Sequence, residues 1–291
     1  MTAEDTIPNI RTAVRDRYKK IAEEFQISVQ ADCGCAPSSC CGDVDESAQL
    51  AAVEKLYEAV EKLYETPDAA ALPEAVTGLS LGCGDPITLA ALMPGQTVLD
   101  LGSGGGIDCF LAGQRVGSEG RVIGVDMTSA MLEKARANKA RLGAENVEFR
   151  LGEIEHLPVP DASIDVIISN CVINLSADKP QVFREAFRAL RPGGKLAVSD
   201  MVTDGPLPDG IKSSLSAWAG CIAGALDVED YAAGIQAAGF VDVELVPVYL
   251  DREFIDDGIR QSGGEIDTGD MPREAIYKAV FSAKITARKP L

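Results

Sequence analysis

Eight cysteines against a single histidine, His156, decide which chemistry this 291-residue chain can perform. Without a second imidazole there is no His-based zinc site, no Cys-His dyad and no Ser-His-Asp triad. Special reactivity must come from thiolates, carboxylates or a bound cofactor. Cys33, Cys35, Cys40 and Cys41 cluster in ADCGCAPSSCC, Cys83 sits in GCG, Cys171 in SNCVINL and Cys221 in WAGCIAGAL. Cys109, on the apolar face of IDCFLAG, reads as a small buried hydrophobe, which is what most free cysteines are. His156, in GEIEHLPVPD, reads as an exposed polar residue rather than a catalyst.

A glycine loop supplies the second chemical signal. Asp100-Leu-Gly102-Ser-Gly104-Gly-Gly106 ends an apolar strand and opens a helix, so the backbone can turn sharply and approach a ligand at a helix N-terminus. Ile107 stands where a dinucleotide fingerprint needs its third glycine. Asp100, two residues before the first glycine, would repel a pyrophosphate but suits an α-amino group. Asp126 ends the next strand, placed to accept both ribose hydroxyls, and Glu153 follows the third, where it can accept from an adenine amino group. Three acids at three successive strand ends favour S-adenosylmethionine over a nicotinamide dinucleotide or a purely structural loop.

The elements that must position these residues are legible from period and punctuation. TVLDL, RVIGVDM, VEFRLG, DVIISN and KLAVSDMV alternate with the helical stretches IDCFLAGQRVG, SAMLEKARANKARLG, KPQVFREAFRALRPGG and DVEDYAAGIQAAGF. Near-continuous apolar strands joined by helices predict a parallel sheet covered on both faces. VDVELVPVYL and KAVFSAKITARKP add two strand candidates. Residues 6–25 carry Ile10, Val14, Tyr18, Ile21 and Phe25 at helical spacing. A second helix is expected over 45–65, where VEKLYEA and VEKLYE repeat a heptad, too short a run to define a coiled coil. The expected organisation is a helical extension with a Cys-rich loop over 1–75, a cofactor-binding domain over 76–245 and a C-terminal addition over 246–291.

Charge narrows the partners. Lys+Arg number 27 and Asp+Glu 45, a net charge of −18, so a basic face for nucleic acid or for an anionic membrane is hard to assemble. No apolar run approaches the roughly 18 residues of a membrane helix. The acidic start MTAEDTIPNI lacks the features of a signal peptide. A cytoplasmic protein with reduced thiols is expected. The cysteines are then candidates for thiolate chemistry or soft-element binding rather than staples. An O- or N-methyltransferase usually employs a general base, commonly His. Trivalent arsenic needs none: it binds soft thiolates and keeps a lone pair that attacks a sulfonium methyl.

DLGSGGGIDCF, the strand-end acids and LRPGGKLAVSD resemble the class I S-adenosylmethionine-dependent methyltransferases over about residues 95–200. That resemblance implies a Rossmann-like α/β fold with a seven-stranded sheet whose last strand is antiparallel. It also implies cofactor contacts from Gly102, Gly104, Asp126, Glu153 and Asn170, joined by Asp100, Ser103, Met127 and Ile154. SNCVINL, the GCG, GCIAGAL and DLGSGGGIDCF together are similar to the arsenite S-adenosylmethionine methyltransferases over most of residues 78–240. In that family three cysteines bind arsenic(III), and they match Cys83, Cys171 and Cys221. Cys40 and Cys41 match a pair assigned to redox turnover or early substrate capture, and the co-reactants implied are S-adenosylmethionine and a thiol reductant of glutathione or thioredoxin type. Leu81 stands where many members carry an aromatic before GCG. A lipid-, quinone- or sterol-type methyltransferase shares the cofactor frame without paired thiols, and a non-catalytic metalloid-binding protein shares the thiols without needing the donor site.

Overall fold

The computed structural model describes residues 3–25, 64, 67–79, 82, 84–205, 224–249, 252 and 272–291. The helix expected over 45–65, with its heptad repeat, lies outside them except for Tyr64. In chain order come α1 (Ala3–Glu24), three short helices α2 (Pro67–Ala70), α3 (Glu74–Thr77) and α4 (Pro86–Ala90), β1 (Thr97–Leu101), α5 (Ile107–Val116), β2 (Arg121–Asp126), α6 (Ser129–Leu142) and β3 (Val147–Leu151). β4 (Ile164–Asn170) leads through a 3-10 turn (Ile173–Leu175) to α7 (Lys179–Ala189) and β5 (Leu190–Thr203). The two-residue β6 (Leu226–Asp227), α8 (Val228–Ala237), β7 (Val241–Val248), α9 (Arg273–Ala279) and β8 (Val280–Arg288) complete it.

The sheet runs β3-β2-β1-β4-β5-β8-β7, with β6 pairing β5 off this path. β1 to β5 are parallel to one another, and β8 is antiparallel to both β5 and β7. Successive residues of each central strand feed opposite cores. Leu99, Leu101, Ile123 and Val125 pack with Phe183 of α7 and Tyr231 of α8, whereas Val98, Val122, Val166 and Ile168 pack with Phe110 of α5 and Leu132 of α6. Burial on both faces is why the strands read as unbroken apolar runs.

Two expected boundaries fall elsewhere. Position 245 lies inside β7, and β8 runs through the sheet from Lys195↔Arg288 to Thr203↔Val280, so residues 280–288 are structural members of the same domain. At the other end, position 75 lies inside α3, and α1 packs on the domain through Ala22, which clusters with Leu79 and Met131 alongside Tyr18, Ile21 and Phe25. Both corrections rest on pairings between residues far apart in sequence, which local composition does not encode.

Because β1, β2, β3 and β4 are parallel, their carboxyl ends meet at one edge. Strand order reverses between β1 and β4, the place where open α/β sheets leave a crevice for ligands.

Candidate functional site

The glycine loop after β1 is held from below and from the side. Gly102 and Ser103 both donate their amides to the Val125 carbonyl, at 2.8 and 2.9 Å. Gly102 has φ +71, and a Cβ there would lie 2.5 Å from the Val172 side chain. Only glycine satisfies both demands. The Gly104 amide donates to Asp126 Oδ2 at 2.9 Å and the Thr128 amide to Oδ1 at 2.8 Å. Burial raises the Asp126 pKa above the ordinary value, and these two amides oppose the shift. A carboxylate has about four acceptor positions; the two amides and the Thr128 hydroxyl take three, which leaves one for a ligand hydroxyl.

Above this loop opens a cavity at the carboxyl edge of the sheet, the place where small-molecule sites of open α/β sheets form. Gly102, Ser103, Gly104, Asp126, Met127, Ile154, Asn170 and Cys171 all line it. Met127, Ile154 and Met131 offer an apolar surface beside Asp126, the arrangement a purine next to a ribose requires. A Cβ on Gly104 would meet nothing within 4 Å, so the loop presents open space to a ligand.

Asp100 is not at that surface. It is 2% exposed and absent from the lining; its Oδ2 accepts from the Cys109 thiol at 3.2 Å. Burial, then the nearby Asp108 carboxyl, hold its pKa well above the ordinary value. The same burial pushes the Cys109 thiol up, and Cys109 is a free, buried cysteine. Asp108, in the first turn of α5, lines the cavity as Asp126 and Glu155 do. Tyr64 Oη donates to its Oδ1 at 2.9 Å and Asn170 Nδ2 approaches its Oδ2 at 3.3 Å. Burial raises Asp108 to about 7 against those two hydrogen bonds. Asp108, not Asp100, is the acid of this loop region that lines the cavity. Its signal was present as an acid two residues past Gly106, but nothing local distinguishes it from an acid complementing a helix N-terminus.

Cys171 directly follows β4 and lies in the left-handed region, with φ +59, a conformation costing a non-glycine residue of order 1 kcal/mol. Its amide is anchored on the Ser199 carbonyl at 2.8 Å. The residue is nearly buried in the cavity wall and is disulfide-bonded, with a partner outside the described residues. Free thiols were expected; that holds at Cys109 and not here. Asn170, just before it, donates Nδ2 to the Gly84 carbonyl at 2.8 Å, and a Cβ on Gly82 would strike the same amide at 2.3 Å. Cys83 itself, Cys221, Cys40, Cys41 and the Cys33–Cys35 pair lie outside the described residues.

The last wall comes from the N-terminal helix. Arg11, Val14 and Tyr18 of α1 close the cavity, as does Tyr64. Glu153 does not line it: it pairs with Arg11 at 3.4 Å, and Arg11 also reaches Glu155 at 3.7 Å. The helical period of α1 was legible, but its service as a cavity wall was not.

A methyltransferase domain family matches residues 92–239. The arsenite methyltransferase of Halobacterium salinarum is 45% identical over all of this chain, which spans 69% of that relative's length. The mouse arsenite methyltransferase is 40% identical over 60% of this chain and 48% of its own. An arsenic(III) S-adenosylmethionine methyltransferase from Chlamydomonas reinhardtii superposes with a TM-score of 0.60 at 34% identity, covering 81% of this chain and 73% of its own. The chain belongs to the arsenite methyltransferases.

The methyl donor of an arsenite methyltransferase is S-adenosylmethionine, and this chain's residues fit it. Asp126 keeps an acceptor position, the space over Gly104 is open, Met127, Ile154 and Met131 line the same cavity, and the buried Asp108 carboxyl lies by Asn170. Of the three strand-end acids, Asp126 lines this cavity and Asp100 and Glu153 do not. Among the described residues no helix is long and apolar enough to cross a membrane.

Proposed function

We propose that this chain methylates trivalent arsenic held by the thiolates of Cys83, Cys171 and Cys221. The observation that supports the reading best is the seat of Cys171: a cysteine in a left-handed conformation, in the wall of the cavity, with Asn170 beside it hydrogen-bonded to Gly84 and closely approached by Gly82, the two neighbours of Cys83. Soft thiolates suit arsenic(III) and leave its lone pair available. The absence of a histidine base is then no handicap, because the acceptor has no proton to lose.

S-adenosylmethionine, when bound, supplies a sulfonium methyl group. Asp126 holds the ribose, Met127 and Ile154 the purine, and Asp108 with Asn170 the amino-acid end. Holding acceptor and methyl in line is the main catalytic contribution, of order 7–11 kcal/mol at most. α1 excludes water from the cavity through Val14 and Tyr18.

Each methylation oxidises arsenic by two electrons, from the trivalent to the pentavalent state, and the sulfonium leaves as a thioether. A pair of thiols returns it to the trivalent state by closing a disulfide, which a reductant of glutathione or thioredoxin type reopens. Cys171 in a disulfide corresponds to the resting oxidised form of such a cycle. Cys40 and Cys41 serve as the relay between that disulfide and the reductant, in the reducing cytoplasm the cycle calls for. The test is incubation of the reduced full chain with methyl-labelled donor, arsenite and glutathione, followed by speciation. Labelled methylarsenicals are expected; a protein that binds the donor yet labels no arsenical overturns the reading.

A further inference from the structure

Glu153, expected at the purine, is paired with a helix instead. Its Oε2 lies 3.4 Å from Arg11 Nη1, and Glu155 Oε1 lies 3.7 Å from Arg11 Nη2. Both acids belong to the turn after β3, and α1 brings the guanidinium to them. That turn is itself held. The His156 amide donates to the Glu153 carbonyl at 3.0 Å, Gln181 Nε2 to the Glu155 carbonyl at 3.0 Å, and Ser176 Oγ to Glu155 Oε1. Glu155 is buried and lines the cavity, as Arg11 does.

The helix is fastened unevenly. Arg11, Val14 and Tyr18 are spaced by three and four, so they share one face of α1, and all three line the cavity. On one side of that stretch the helix is bedded in the domain. Ala22 clusters with Leu79 and Met131, Lys134 Nζ donates to the Phe25 carbonyl at 3.1 Å, and a Cβ on Gly78 would lie 2.4 Å from the Phe25 ring. On the other side Ile10 is buried and Arg11 makes its two ion pairs. Those pairs are longer than a hydrogen bond, and Arg11 Nε is buried with no hydrogen-bond partner among the described residues. A buried N–H without a partner costs free energy, so this end of the helix has contacts still to gain.

We infer that Arg11 is a positioning residue of the donor site: it fastens α1 across the cavity through Glu153 and Glu155, and so retains the donor without bonding to it. In this arrangement Glu153 serves the helix and not the purine. The inference rests on the placement of the donor in this cavity. Two consequences separate it from a direct purine contact. Loss of the fastening shortens the donor's residence whatever groups the purine carries. Loss of an acceptor for the purine amino group matters only to a ligand that has that group.

The experiment follows dissociation from the reduced full chain of S-adenosylhomocysteine and of its inosine counterpart, in which an oxo group replaces the purine amino group. Arg11→Met is expected to speed release of both ligands about five- to thirtyfold, the range that two ion pairs account for. Arg11→Lys, which keeps the charge, should recover most of that loss. The rise in KM for S-adenosylmethionine should exceed any fall in kcat. Glu153→Gln should give a smaller increase for both ligands alike, should add nothing to Arg11→Met in the double variant, and carries the test if Arg11→Met does not fold. Wild-type release rates in Arg11→Met overturn the inference. A Glu153→Gln loss confined to the adenosine ligand overturns it too, and returns Glu153 to the purine. Asp126→Ala separates the inference from the placement beneath it: if that variant binds both ligands as the wild type does, the donor lies elsewhere. If it loses binding while Arg11→Met retains it, only the fastening is wrong.

Discussion

The Gly104 amide and the Asp126 carboxylate are joined across 2.9 Å, so the loop after β1 and the end of β2 act as one unit. The acid that is to receive the ribose also sets the shape of the loop that receives the rest of the donor. Asp126→Ala removes both. Hydrogen bonds to a charged acceptor contribute ~1.5–3 kcal/mol each, so S-adenosylhomocysteine affinity should fall by about two orders of magnitude or more in a calorimetric titration. Unchanged affinity would remove Asp126 from the ribose site.

Two glycines of the loop should respond differently to alanine. At Gly102 the left-handed backbone and the contact with Val172 act together, and Gly102→Ala should lower stability by about 2–5 kcal/mol. At Gly104, where φ is +49 and space is open, the stability loss should be only about 1–2 kcal/mol. Its new methyl group stands in the cavity, so donor affinity should drop out of proportion. Denaturant unfolding beside ligand titration distinguishes the two; equal stability losses would contradict the geometry.

Cys171→Ser should abolish arsenic methylation while leaving S-adenosylhomocysteine binding intact, because a hydroxyl is a poor ligand for a soft metalloid. Cys109→Ser should retain substantial activity at a modest cost in stability, since Cys109 contacts Asp100 and the core rather than the cavity. Turnover by a Cys171→Ser enzyme would exclude the thiolate site.

Asp108 makes donor binding pH-dependent. Its carboxyl lies near 7 in the free protein through burial, and an α-ammonium beside it favours the ionised form. Below about pH 7 binding must expel a proton, so affinity should weaken as pH falls from about 8 to 6, with proton release seen by calorimetry in buffers of different ionisation enthalpy. Asp108→Asn should flatten the profile. A pH-independent wild type would place the ammonium elsewhere.

The same carboxyl also links stability to pH. Its folded pKa, near 7, lies above the ordinary 3.8, so the native chain keeps a proton that the unfolded chain has released between about pH 4 and 7. Its contribution to stability is complete below that window and is lost as pH rises through it. The thermal midpoint of Asp108→Asn relative to wild type should therefore improve from about pH 5 to 7.5. A constant difference would show that Asp108 titrates normally.

The sequence by itself determined what depends on neighbours along the chain. Apolar runs between turns marked β1 to β5, and glycines at 102, 104 and 106 marked a loop with left-handed backbone. These are local demands of backbone conformation, strand burial and helix termini, and they hold wherever the element packs. Only the tertiary structure decided which acid faces the cavity, because Asp100 and Asp108 are separated by one helical approach and one is covered by Cys109 while the other meets Tyr64 and Asn170. The same holds for β8 entering the sheet between β5 and β7, for α1 closing the cavity, and for Asp200 bonding Asn174 and Tyr231. Each is a meeting of residues tens or hundreds of positions apart, selected by the burial energy of the whole domain rather than by any pattern a short window contains.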